Sequence, residues 1–196
     1  MTCIIGYIDN DNKKVYMGAD SCASNGFKKE TRKDRKIFKP ENNKNFLISF
    51  TTSFRMGQLL MYSNIFPTED EIQKNNMKID HKYITTILIP RIQNLFKEGG
   101  FGTDDEGGIF LIAYKNKLFK IESDFQVSEF LSEFVCGGSG EYHANGCLYG
   151  LQYNSDISIT NKIHKALQCA SEYCLGVEKP FYIMNTSDSE IIRYDK

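Results

Sequence analysis

Nothing in this 196-residue chain stays apolar long enough to cross a bilayer: the longest such run, around residues 109–114, is about seven residues, against the ~20 of a spanning helix. The first residues also lack the apolar stretch of a secretory signal, and the expectation is a cytoplasmic protein with no membrane partner. Charge of one sign is missing as well. The 24 Lys and Arg stand against 25 Asp and Glu, so no excess positive charge points to nucleic acid. The basic clusters at Lys28-Lys29 and from Arg32 to Lys36 are short and broken by acids, as on a solvated edge. Six cysteines are too few for a disulfide scaffold at this length, and none forms a C-x-x-C pair. The three histidines have no metal-ligand spacing, so no structural zinc site is expected. Asp9-Asn10-Asp11-Asn12 opens like a calcium loop, but Lys13 follows and the glycine and closing glutamate are missing, which leaves a hairpin turn.

What the chain does have is a threonine in second place. With Met1 removed, Thr2 carries a hydroxyl and a free α-amine on one residue. An α-amine titrates near ~7.7–8.0, so it can take the proton of the hydroxyl and make a weak nucleophile usable. Threonine there is common, and the rest of the pattern has to support that role.

The length suits one domain spanning residues 1–196. Residues 3–8 and 14–20 are β-prone runs around the Asp/Asn turn and predict a hairpin. A loop over 21–26, short strands at 27–32 and 36–39 and an apolar strand at 46–51 follow. Thr52 or Ser53 can cap a helix carrying Phe54, Met56, Leu59, Leu60 and Met61. Residues 64–79 read as polar and irregular. Asp80 opens a longer helix that Gly99-Gly100 stops, and Pro90 inside it predicts a kink. A second hairpin is expected at 108–114 and 117–121, then a strand at 134–136 reaching Gly137-Gly138-Ser139-Gly140. Helices over 141–153 and 160–174 and strands at 181–185 and 191–194 complete the order. Strands, helices, strands, helices, strands fit an α+β fold of two antiparallel sheets packed face to face and covered outside by helices.

Five segments then carry a resemblance: Thr2-Cys3-Ile4-Ile5-Gly6, Val15 to Ser21, Arg35-Lys36-Ile37-Phe38, Phe46 to Phe50, and Cys136-Gly137-Gly138-Ser139-Gly140. In order and spacing they resemble the N-terminal-nucleophile (Ntn) hydrolases of the proteasome β-subunit and HslV group. Ser53-Phe54-Arg55-Met56-Gly57-Gln58 adds a likeness to the proteasome-like subunits of bacteria and phages. The resemblance implies a four-layer αββα sandwich and peptide-bond hydrolysis inside a homo-oligomeric ring. Peptide or unfolded protein is the implied substrate, and an ATP-dependent unfoldase the implied feeder.

Carried over by position, Thr2 resembles the nucleophile and Lys36 the lysine whose charge disfavours protonation of the threonine amine. Lys33 takes that place if the register slips by three. Asp20 matches the carboxylate that pairs with this lysine, and Ser139 the serine beside the amine. The Ser49 amide falls where the family forms its oxyanion hole, although glycine is usual there. Leu47 and its neighbours fall where a specificity pocket would be lined. Residues 173–179 lack the acid and serine that proteasomal subunits place after the last long helix. HslV-type enzymes lack them too, and there a monovalent cation binds backbone carbonyls, here near Cys174 to Val177; no cofactor is required. Two alternatives stay open: a catalytically silent ring-forming subunit, and a Cys3-nucleophile amidohydrolase of the same fold.

Overall fold

The computed structural model describes residues 2–24, 27–103 and 106–195. Along the chain run β1 (Ile4–Asp9), β2 (Lys14–Ala19), β3 (Cys22–Ser24), β4 (Lys29–Thr31), β5 (Ile37–Phe38) and β6 (Phe46–Phe50). Helices α1 (Phe54–Met61) and α2 (Glu69–Lys74) follow. Next, α3 (His81–Tyr83) passes through a π-helical turn (Ile84–Leu88) into α4 (Ile89–Glu98). The second half holds β7 (Phe110–Tyr114), β8 (Lys117–Ile121), β9 (Val127–Ser128), β10 (Phe134–Gly137), α5 (Glu141–Leu151), α6 (Ile159–Tyr173), β11 (Phe181–Asn185) and β12 (Ile192–Tyr194). Among these described residues no helix is long and apolar enough to cross a membrane.

Two five-stranded sheets result, in the orders β10-β1-β2-β11-β12 and β5-β6-β7-β8-β9, and β3 pairs with β4 in a separate ribbon. All strand pairs are antiparallel. Strand periodicity then assigns the layers, since alternate side chains leave a strand on opposite faces. Cys3, Ile5 and Tyr7 pack on one side with Ala144 and Leu148 of α5 and Ile163 and Leu167 of α6. Ile4 goes to the other side and meets Leu47 of β6 and Leu111 of β7 between the sheets. On the far face of the second sheet, Phe46, Ile48 and Phe50 pack against Met56, Leu60, Ile92 and Phe96 from α1 and α4. Three apolar layers separate four structural ones, and the fold is the αββα sandwich.

Several expectations change. Within 64–79, Thr68 accepts from the Glu71 N–H while the Glu71 carboxylate accepts from the Thr68 N–H, a reciprocal capping box that starts α2. The expected loop over 21–26 contains β3, because its residues pair with β4; Asn25 and Gly26 lie outside the described residues. At Pro90, where a kink is expected, the helix runs on from a π turn. Pro90 lies in the first turn of α4, and the π turn before it carries the Ile89 N–H to the Ile84 carbonyl. A proline removes one i→i−4 bond and crowds the preceding turn, and a widened turn absorbs both. Gly99 ends α4 with Gly100 at φ 64°, as expected of that pair.

Candidate active site

β1 and β2 place two site residues by pairing. Ile4 lies opposite Ala19, so Thr2, just before β1, is brought near Asp20, just after β2. The third, Lys36, immediately precedes β5 at the edge of the other sheet. There its carbonyl accepts the Phe50 N–H at 3.0 Å. The two sheets therefore have to pack before these groups meet.

Thr2 is buried, with 3% of its surface exposed. Lys36 Nζ donates to Thr2 Oγ1 at 2.7 Å and to Asp20 Oδ1 at 2.9 Å, with Lys36 2% and Asp20 0% exposed. A buried charge pair is tolerable only when its remaining bonding capacity is satisfied. Asp20 meets that condition with three backbone donors: Cys3 N–H at 3.0 Å, Cys22 N–H at 2.8 Å and Glu178 N–H at 3.3 Å. Burial pushes the Asp20 carboxyl upward, and the Lys36 ammonium and the Cys3 and Cys22 amides oppose the shift.

At the other end of Thr2, its nitrogen donates to Ser139 Oγ at 3.1 Å. In the intact chain this is a peptide nitrogen; removal of Met1 makes it the α-amine. The Thr2 carbonyl accepts from Gly140 N–H at 3.1 Å and from the Ser139 hydroxyl at 3.3 Å. Gly138 makes this turn with φ 92°, and a β-carbon there would strike the Thr2 carbonyl. Glycine is required on both counts. The structure thus brings together Thr2, Asp20, Lys36 and Ser139. Lys33, the alternative to Lys36, is exposed and lines a separate groove.

Ser49 and Leu47 lie elsewhere. The Phe50 N–H points to β5 and the Thr51 N–H to the Ile109 carbonyl, so by alternation the Ser49 N–H faces β7, opposite Leu111. It belongs to the sheet ladder, and its hydroxyl packs 3.5 Å from Met17 Sδ between the sheets. Leu47 is fully buried in the same layer. The residue that sequence reading missed is Thr52. It has φ 69°, sparsely allowed for a β-branched side chain, and lines the same cleft as Thr2. The Ser53 N–H bonds the Thr51 carbonyl at 2.8 Å and the Thr52 hydroxyl accepts the Ile109 N–H at 3.2 Å, which hold this turn. Among the described residues the Thr52 N–H has no acceptor. A strained residue with an unengaged amide in the same cleft as the Thr2 hydroxyl has the geometry an oxyanion hole needs.

The segment after α6 contributes by other atoms than an acid and a serine. Cys174 Sγ lies 3.3 Å from Ser139 Oγ, and Glu178 supplies its backbone N–H to Asp20. A cation at residues 174–177 would rest on backbone carbonyls, of which that of Cys174 already accepts the Val177 N–H. Cys3 is fully buried on the helix-facing side of its sheet, outside the cleft. Burial, with Cys136 and Asp20 nearby, pushes its thiol well up, which disfavours the thiolate a nucleophile needs. The site opens into a cleft of about 320 Å³ walled by the β3–β4 ribbon, the end of β6 and the start of α1.

No family model and no curated protein sequence matches the chain. Solved structures do. BPH of Thiobacillus denitrificans superposes with a TM-score of 0.73 at 18% identity, over 94% of this chain and 97% of that one. The same protein in complex with epoxomicin superposes with a TM-score of 0.73 at 18% identity, over 93% and 97%. Eukaryotic HslV from Trypanosoma brucei does so with a TM-score of 0.68 at 15% identity, over 94% and 98%. The chain shares the fold of these proteins over nearly its whole length.

Proposed function

We propose that this chain, built on the fold of BPH and HslV, is a threonine peptidase subunit whose nucleophile is Thr2 after removal of Met1. The observation that carries the reading is the Lys36 ammonium 2.7 Å from Thr2 Oγ1. That contact stabilises a developing alkoxide, and its charge keeps the neighbouring amine unprotonated and able to act as base. The Thr2 amine takes the hydroxyl proton as Oγ1 bonds to the scissile carbonyl carbon. The Thr52 N–H receives the charge on the carbonyl oxygen. Collapse breaks the C–N bond, the leaving amine takes the proton back from the α-ammonium, and an acyl ester remains on Thr2. Water, deprotonated by the same amine, hydrolyses that ester. Asp20 positions Lys36 throughout, and Ser139 orients the amine.

The solved complex of BPH with epoxomicin supports a search for inhibitors at this site. Peptide or unfolded polypeptide is the substrate class, in a cytoplasmic homo-oligomeric ring fed by an ATP-dependent unfoldase. Tyr142, Tyr149 and Tyr153, on and just after α5, are 80%, 71% and 91% exposed and offer apolar surface for subunit contacts.

Intact mass before and after treatment with a peptide epoxyketone tests the reading. A chain lighter by one methionine that gains one adduct at Thr2 is expected. Retention of Met1 with no adduct would instead indicate a silent assembling subunit. Thr2→Ala and Lys36→Ala should each abolish peptide hydrolysis, by at least ~10³-fold, with the assembly state on gel filtration unchanged. Activity retained in either variant removes that residue from the mechanism.

A further inference from the structure

The cleft beside Thr2 is walled by Lys28, Arg32 and Lys36 against a single carboxylate, Glu30. Each cation has a carboxylate partner: Lys28 pairs with Glu30 within the wall, whereas Asp34 and Asp20, the partners of Arg32 and Lys36, are not part of it. Arg32 is held in place from two directions. Its Nε and Nη2 donate to the Asp34 carboxylate at 2.8 and 2.7 Å, and its guanidinium carbon lies 4.1 Å from the centre of the Phe54 ring. Phe54 is fixed in turn, edge-on to Phe50 at 5.7 Å. Asp34 occupies one edge of the guanidinium, and the fork retains further N–H donors beyond it. The stacked guanidinium covers one face of Phe54, which with Phe50 also lines the cleft. On β3, in the same cleft wall, Ser24 Oγ is buried and has no hydrogen-bond partner among the described residues. A buried hydroxyl without a partner costs free energy that a ligand acceptor can recover.

We propose that this cleft selects peptides carrying a carboxylate side chain, aspartate or glutamate, on the residue whose carbonyl Thr2 attacks, with Arg32 as the specificity-determining residue. The inference rests on the threonine-peptidase reading of the same site. A carboxylate entering here meets a guanidinium already oriented and stripped of part of its freedom, so it gains charge-assisted hydrogen bonds at small ordering cost. A lysine or arginine side chain meets like charge, and a bulky apolar one finds one face of Phe54 already taken by Arg32.

The test uses the full chain and fluorogenic peptides that differ only at the residue preceding the cleaved bond, as Glu, Gln, Leu or Arg. Glu is expected to exceed Gln and Leu in kcat/KM by about tenfold or more, with Arg lowest. Arg32→Met, which keeps length and removes the fork, should collapse the Glu to Gln ratio towards one, mainly through KM. Asp34→Asn, which releases the guanidinium, should lower the same ratio without removing the charge. A wild type that prefers Leu, or a Glu to Gln ratio unmoved in both variants, overturns the proposal. If the protein takes the epoxyketone adduct on Thr2 yet cleaves Leu best, the specificity inference falls and the peptidase reading stands. No adduct and no cleavage of any peptide ends both.

Discussion

Gly138 shows how little room the candidate site has. Its φ of 92° suits glycine, and a β-carbon would meet the Thr2 carbonyl that Gly140 and Ser139 hold. Gly138→Ala should therefore shift Thr2 relative to Lys36 and lower kcat by roughly 10²-fold, the usual cost of misplacing a reacting group by about an ångström. Thermal unfolding shows whether the variant remains folded, and an unchanged kcat would mean that the turn does not position Thr2. At this scale much was legible. Thr2, Asp20, Lys36 and Ser139 are polar residues at the ends of apolar strands, and their types and order carried the pattern. Ser49 was misplaced because the choice of amide depends on strand alternation: Phe50 and Thr51 bond to opposite neighbours, and only the ladder reveals which N–H is left over. Thr52 had no signal, since a positive φ at threonine leaves none in the sequence.

Elements are limited by space between layers, and two glycines make that visible. A β-carbon at Gly18 of β2 would collide with the Ile163 side chain of α6, whereas at Gly146 of α5 it would meet nothing within 4 Å. The same substitution should therefore act with opposite sign. Gly18→Ala should destabilise by about 1–3 kcal/mol through overpacking, and Gly146→Ala should stabilise by up to ~1 kcal/mol through the lost backbone freedom of glycine in a helix. Urea unfolding of both variants measures this, and equal shifts would refute the layer packing. Strong periodicity made the hairpins and long helices readable in advance. The capping box of Thr68 and Glu71 was also in the sequence, but it starts a six-residue helix with one buried position, Ile72, too short for periodicity to stand out. The π turn before Pro90 was beyond reach because a kink and a widened turn answer the same steric problem.

Across the whole molecule, the apolar layers hold thiols as well as hydrocarbons. Cys3 and Cys136 are both essentially unexposed in the layer beneath α5 and α6. Burial pushes both thiols up, and negative charge nearby adds to it, from Cys136 and Asp20 at Cys3 and from Glu141 at Cys136. A folded-state pKa above the unfolded value of about 8.5 gives stability that is complete below that pH and is lost as pH rises beyond it. Each such thiol should cost about 1.4 kcal/mol of unfolding free energy per pH unit in that range. Cys136→Ala should flatten the decline between about pH 8.5 and 10 by one such increment. An unchanged slope would mean that the Cys136 thiol ionises as easily folded as unfolded.

By itself the sequence determined the order of the longer strands and helices, the two faces of those strands, and which polar residues stand at strand ends. Those properties follow from local periodicity and turn chemistry within a few residues. Tertiary structure decided which of them meet. Lys36 reaches Thr2 and Asp20 only because β5 at the edge of one sheet is packed over β1 and β2 of the other, and Ser139 arrives through β10 pairing with β1. The same packing turned Ser49 into the ladder, set Thr52 at the cleft and laid Arg32 over Phe54. Contacts between residues tens of positions apart depend on how two sheets stack, which no local pattern records.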